Sequence, residues 1–188
     1  MKLELVKRGT GKKGVNNKLR REGFIPAIVY NSKGEAKPVA VKAEAFQAIL
    51  RGMKSGLLST TVFELTLDGH KSKALVKEVQ YQPASYEIEH IDFLQVHDNE
   101  KVTVNVPIQL VGAAECAGVK LGGFLRQVIR SMQVRCLLKD IPQEFAIHVQ
   151  EMAIAESKTL AAIAMPAHVK PLSKMNEVAV VVGKKAGT

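Results

Sequence analysis

The chain has 188 residues with 27 Lys plus Arg against 18 Asp plus Glu, a formal charge of +9, and 46% hydrophobic residues, a make-up that excludes a disordered chain and allows one large domain or two small ones. Two domains are the expectation. The longest apolar run, Leu160 to Ala167, is interrupted by Pro166 and falls far short of the roughly 18–20 residues of a membrane span, and the opening MKLELVKRGTGKKG lacks the apolar stretch of a secretory signal, so a cytoplasmic protein is expected.

Charge is concentrated at one end: residues 1–21 carry Lys2, Lys7, Arg8, Lys12, Lys13, Lys18, Arg20 and Arg21 against the single acid Glu4, while the remainder is close to neutral. A neutral body with a cationic end is the electrostatic footprint expected for contact with phosphates or an anionic surface, the alternative being a solvated basic tail. Leu3 to Val6 alternates as a half-buried strand, and Gly9, Gly11 and Gly14 mark a loop. A short helix follows, with Asn16 or Asn17 placed to cap its start, Leu19 turned inward, Lys18, Arg20 and Arg21 outward, and Gly23 to end it. Residues 25–30 (IPAIVY) form a strand that turns through Asn31-Ser32-Lys33-Gly34 into Pro38 to Lys42, a hairpin. Ala43 to Arg51 has Phe46, Ile49 and Leu50 at helical spacing and stops at Gly52. Thr60 to Leu67 and Lys71 to Tyr81 are strands joined by the two-residue turn Asp68-Gly69, and Tyr86 to Val96 alternates into another. The fold predicted is mainly β: a six-stranded antiparallel barrel with two short helices.

The polar stretch His97-Asp98-Asn99-Glu100 suits a domain boundary. Beyond it Val102 to Ile108, Phe145 to Val149 and Val178 to Val182 alternate as strands, while Gly112, Gly118, Gly122 and Gly123 preclude a long helix. A second, β-rich domain is predicted, with no second nucleic-acid surface advertised by its charge.

Catalytic motifs fail on context. Gly9-Thr10-Gly11-Lys12-Lys13-Gly14 spells the dinucleotide fingerprint, but the strand before it alternates, the helix after it is short, and Glu35 falls in a turn. No P-loop Lys-Ser/Thr pair follows Gly14, and no nucleophile elbow occurs. Cys116 and Cys136 lack zinc spacing and read as buried small hydrophobes, and His70, His97, His148 and His168 share no ligand spacing. His90 and Asp92 sit two apart on a strand and so share a face, open to a structural pair or to hydrogen bonding with a polyanion. Tyr30 ends its strand near the basic helix, either as core or as a phenol offered to RNA.

Lys13-Gly14, Leu19-Arg20-Arg21-Glu22-Gly23, Ile25-Pro26-Ala27-Ile28-Val29-Tyr30 and Glu89-His90-Ile91-Asp92-Phe93, in that order, resemble the 5S rRNA-binding ribosomal proteins, family twenty-five of the bacterial large subunit. Val111-Gly112, Ala117-Gly118-Val119, Gly122-Gly123 and Asp140-Ile141-Pro142 resemble its longer form, general stress protein CTC. The resemblance implies a barrel domain over residues 1–95 that binds an internal loop of 5S rRNA, a CTC-type domain over 98–188, and a structural component of the large ribosomal subunit. No catalysis, cofactor, metal, membrane or small-molecule substrate is implied, and a monomer is expected off the ribosome. By the resemblance Arg8, Arg20, Tyr30, His90 and Asp92 hold the RNA, Lys13 and Arg21 support them, and Lys77 and Gln80 lie near the same surface. Where the family usually has two bases before its Leu-Arg pair this chain has Asn17-Lys18, so Asn17 is left to hydrogen-bond a phosphate or base edge. Lys12 and Lys18 complete the basic set. The alternative reading is a stress-related protein-interaction module whose RNA binding is secondary.

Overall fold

Leu3 and Leu5 are buried between exposed Lys2, Glu4 and Val6, which is the alternation of a strand with one face on a core: β1 (Lys2–Lys7). The computed structural model describes residues 1–9, 13–31, 34–98 and 100–184, and the chain divides into two compact units, Met1–Val102 and Thr103–Thr188.

In the first unit the basic stretch forms α1 (Lys13–Arg21), followed by Gly23 at φ +80°, a left-handed value that a side chain would strain. The helix begins ahead of Asn16 and Asn17, so neither caps it. β2 (Phe24–Tyr30) and β3 (Ala36–Lys42) form the expected hairpin, in register from Phe24↔Lys42 to Tyr30↔Ala36; Ser32 and Lys33 of its turn lie outside the described residues. α2 (Ala43–Gly52) seats Phe46 in the core. A 3-10 turn, Leu57–Thr60, takes up Thr60, so β4 starts later than expected (Val62–Leu67). Asp68 and Gly69, at φ 50° and 80°, make the tight hairpin turn into β5 (His70–Tyr81), and β6 (Ile88–Gln95) completes the set.

These six strands close into a barrel in the order β1-β3-β2-β6-β5-β4. It is not antiparallel throughout, as the hairpin-by-hairpin reading expected: β1·β4 and β2·β6 pair in parallel. The reason is connectivity. β1, β2, β4 and β6 run one way and only β3 and β5 the other, and four against two cannot alternate around a ring. Inside, Phe63 sits between Phe46 and Phe93 with ring centroids 6.5 and 6.3 Å apart, among fully buried Val39, Val41, Leu65 and Ile91.

The second unit is built on β7 (Lys101–Val111), the single-turn α3 (Ala117–Lys120), β8 (Gly123–Gln127), β9 (Ser131–Leu137), β10 (Phe145–His148), β11 (Ser157–Thr159), β12 (Lys170–Pro171) and β13 (Val178–Lys184). They form two sheets, β10-β7-β9-β12 and β11-β13-β8. Cys136 alternates inward with Met132 and Val134 on β9, and Cys116 is buried as well. Gly118 is held tightly: a Cβ there would stand 2.8 Å from Val182 Cγ1 and 2.9 Å from the Met152 carbonyl oxygen.

Candidate nucleic-acid interface

Ala74 and Val76 of β5 point into the barrel, and unbroken alternation would send Glu78 and Gln80 after them. It is broken. Val76 pairs with Phe93 and Glu78 with Asp92, so Lys77 is an extra residue opposite none, a β-bulge. Past it the parity reverses: Val79, opposite Ile91, packs on the core, while Glu78 and Gln80 emerge on the outer face opposite Asp92 and His90. A second irregularity follows where Gln80 pairs with His90 but Tyr81 with Ile88, which makes Glu89 the extra residue of β6. Two bulges thus bracket a patch of outer face built from β5 and β6.

On the other side of β6, the register Ala27↔Ile91 sets Ile28 beside Asp92 and Tyr30 beside Leu94. Burial first, then the charges of Asp92 and Glu78, push the Tyr30 phenol above the ordinary tyrosine range, so at neutral pH it is a donor. His90 Nδ1 lies 2.7 Å from Asp92 Oδ1. A carboxylate only accepts, so the network assigns a ring hydrogen to Nδ1 and leaves Nε2 open to an outside partner.

Two arginines flank this patch. Arg8, just beyond β1, donates from Nε to the Val39 carbonyl at 3.0 Å and from Nη1 to Asn16 Oδ1 at 2.8 Å. Burial, and after it the charge of Arg20, lower its pKa from the usual arginine value. Arg20 donates from Nη1 to Asn17 Oδ1 at 3.2 Å and from Nη2 to the carbonyl of the bulged Glu89 at 3.1 Å, and it pairs with Glu89 Oε1 at 3.4 Å. Its Nε is shielded and has no acceptor among the described residues. Helix α1 is therefore clamped to β6 through this guanidinium, and Asn16 and Asn17, expected as caps, instead aim the two arginines.

Arg20, Tyr30, Gln80, His90 and Asp92 are brought together on α1 and the neighbouring strands β2, β6 and β5, Arg8 is tied to β3 and to α1, and Lys77 stands exposed at the bulge. Lys18 and Arg21 are exposed on α1, Lys18 paired with Glu22 at 3.9 Å, and neither belongs to the clamp. Lys13 opens α1, and Lys12 lies outside the described residues. Sequence reasoning missed Asn16, Glu78 and Glu89. A signal for Glu78 existed: in Ala74-Leu75-Val76-Lys77-Glu78-Val79 the inward apolar positions are three apart where a regular strand spaces them by two. Among the described residues no group of His, Cys, Asp and Glu is arranged to hold a metal, and no helix is long and apolar enough to cross a membrane.

A model of the ribosomal L25p family matches residues 3–93, and one of the ribosomal protein TL5 C-terminal domain matches residues 101–186. The proteins named large ribosomal subunit protein bL25 from Chlamydia caviae, Chlamydia pneumoniae and Chlamydia muridarum are 40%, 39% and 39% identical over 185 residues, covering 98% of this chain and 100% of each relative.

Proposed function

Because the chain belongs to the ribosomal L25p family, in the form that carries a TL5-type C-terminal domain, we propose that this structural protein of the large ribosomal subunit, which is not an enzyme, grips an internal loop of 5S rRNA on the outer face of its barrel. Residues 1–95 are the RNA-binding domain and 98–188 the CTC-type domain in this reading. The observation that carries it is the doubly bulged face that gathers Tyr30, Gln80, His90 and Asp92 beside Arg8 and Arg20.

A-form RNA hides its base edges in a deep groove, so proteins recognise distorted loops and the shallow groove with its 2′-hydroxyls. That task needs donors and acceptors held rigidly at set places. Here the Tyr30 hydroxyl donates, the second oxygen of Asp92 accepts, the Gln80 amide does both, and His90 presents Nε2. Arg20 and Arg8 meet the phosphates, and the basic N-terminal segment adds long-range attraction. Carboxylates on a polyanion-binding face would be a fault if charge alone acted. They fit a face that reads shape by hydrogen bonds.

Equilibrium binding of the full chain to 5S rRNA, wild type against Asp92→Asn, tests this. The substitution removes a negative charge yet loses an acceptor for RNA and the orientation of His90, so affinity should fall about 5- to 100-fold, the equivalent of roughly 1–3 kcal/mol. Tighter binding by a correctly folded variant would sink the assignment.

A further inference from the structure

At one end of the barrel β1, β2, β4 and β6 finish and β3 and β5 begin, and between them lies a cavity of about 330 Å³. Its floor is apolar: Leu5 and Val29, each 6% exposed, with partly buried Leu67. Its rim is cationic, with Lys7, Lys37, Lys71 and the imidazole of His70 facing one carboxylate, Asp68. Asp68 is already paired with Lys7, and neither Lys37 nor Lys71 has an ion pair among the described residues.

Two ammonium groups without an ion pair beside a cavity lined by Leu5, Val29 and Leu67 leave two needs standing, an anion for the charges and an apolar surface to fill the cavity. One ligand relieves both if it is flat and weakly polar at one end and anionic at the other. The volume falls within the about 300–1,000 Å³ of small-molecule sites, which combine an apolar lining with a few polar groups. We propose that the barrel mouth binds a single nucleotide unit, its base on Leu5, Val29 and Leu67 and its phosphate on Lys37 and Lys71. The unit comes from a free nucleotide or from an RNA strand. The mouth adjoins the candidate interface, since Val29 precedes Tyr30 and Gln95 follows Leu94, the neighbour of Tyr30. The RNA-strand source rests on the proposed function; the free-nucleotide source does not.

The test is methyl NMR of the full chain, first without RNA. Adenosine monophosphate should shift the Leu5, Val29 and Leu67 methyl signals saturably, with adenosine and inorganic phosphate each at least tenfold weaker. Lys37→Ala/Lys71→Ala should abolish the shifts while leaving the rest of the spectrum unchanged. In the 5S rRNA complex, methyl signals already shifted and no longer responsive to the mononucleotide, with about tenfold weaker RNA binding by the double variant, identify the RNA strand as source; methyls that still respond identify the free nucleotide. Absence of saturable shifts in both arms, or shifts undiminished in the double variant, overturns the proposal. Failure to bind 5S rRNA at all, with the mononucleotide shifts intact, would reject the proposed function and leave this site standing.

Discussion

Tyr30 is held protonated by the company it keeps. Burial, Asp92 and Glu78 all oppose the phenolate, so the ionisation that Tyr30→Phe removes from an absorbance titration should have its midpoint above the ordinary tyrosine value of 10.0. Because the folded state holds this proton more tightly than the unfolded one, the group's stabilising effect is complete below about pH 10 and is lost as pH rises from there through the raised folded value. Denaturant midpoints across that window should fall less steeply for Tyr30→Phe than for wild type; parallel profiles would remove the coupling to Asp92 and Glu78. The shared face of His90 and Asp92 was legible in their spacing alone, since two residues apart on a strand admits one side only. The partnership of Arg20 with Glu89 was not, because it joins positions 69 apart in sequence through a carbonyl that any residue carries.

At the scale of elements, the pattern of apolar residues made all six barrel strands readable to within a residue or two, and hairpin turns such as Asp68-Gly69 fixed which neighbours pair. What the pattern left out was direction around the ring, because seams between strands distant in sequence have no turn to announce them. The bulges were also hidden, each being one residue too many in an otherwise regular run. Deleting Lys77 tests the bulge. Val76 inward and Glu78 outward would then be successive residues of a regular strand, so the barrel should survive, with RNA binding weakened several-fold by loss of the cation and the local twist. Deleting Val79 instead would drive Gln80 toward the core, and thermal unfolding should show that chain far less stable. Equal damage from both deletions would refute the parity argument. In the second unit Gly118→Ala forces a methyl against Val182 and the Met152 carbonyl, which should cost about 1–3 kcal/mol in chemical denaturation.

Across the whole molecule, charge and hydrogen bonding are divided between parts. The basic excess lies in residues 1–21, ahead of the strands that carry Tyr30, His90 and Asp92. If four to six cations meet phosphates, the slope of log affinity against log salt should be on the order of −3 to −5, and a fragment of residues 1–102, the first compact unit, should keep that slope. A fragment that folds but loses most of its affinity would make the second unit part of the site. The parallel seams carry a further meaning for the order of events on a chain under synthesis. β1 joins β4 through Leu3↔Leu65, and β2 joins β6 through Ala27↔Ile91. A polypeptide made from its N-terminus can form neither seam until the later strand has emerged, and the ring stays open until β6 is made. The cationic segment thus emerges before the barrel it belongs to can close, and on the proposed function attraction is all it offers a nearby RNA for that interval. On the proposed function, discrimination waits for the last strand, because His90 and Asp92 ride on β6, which shuts the barrel and completes the face begun by Tyr30 and Gln80.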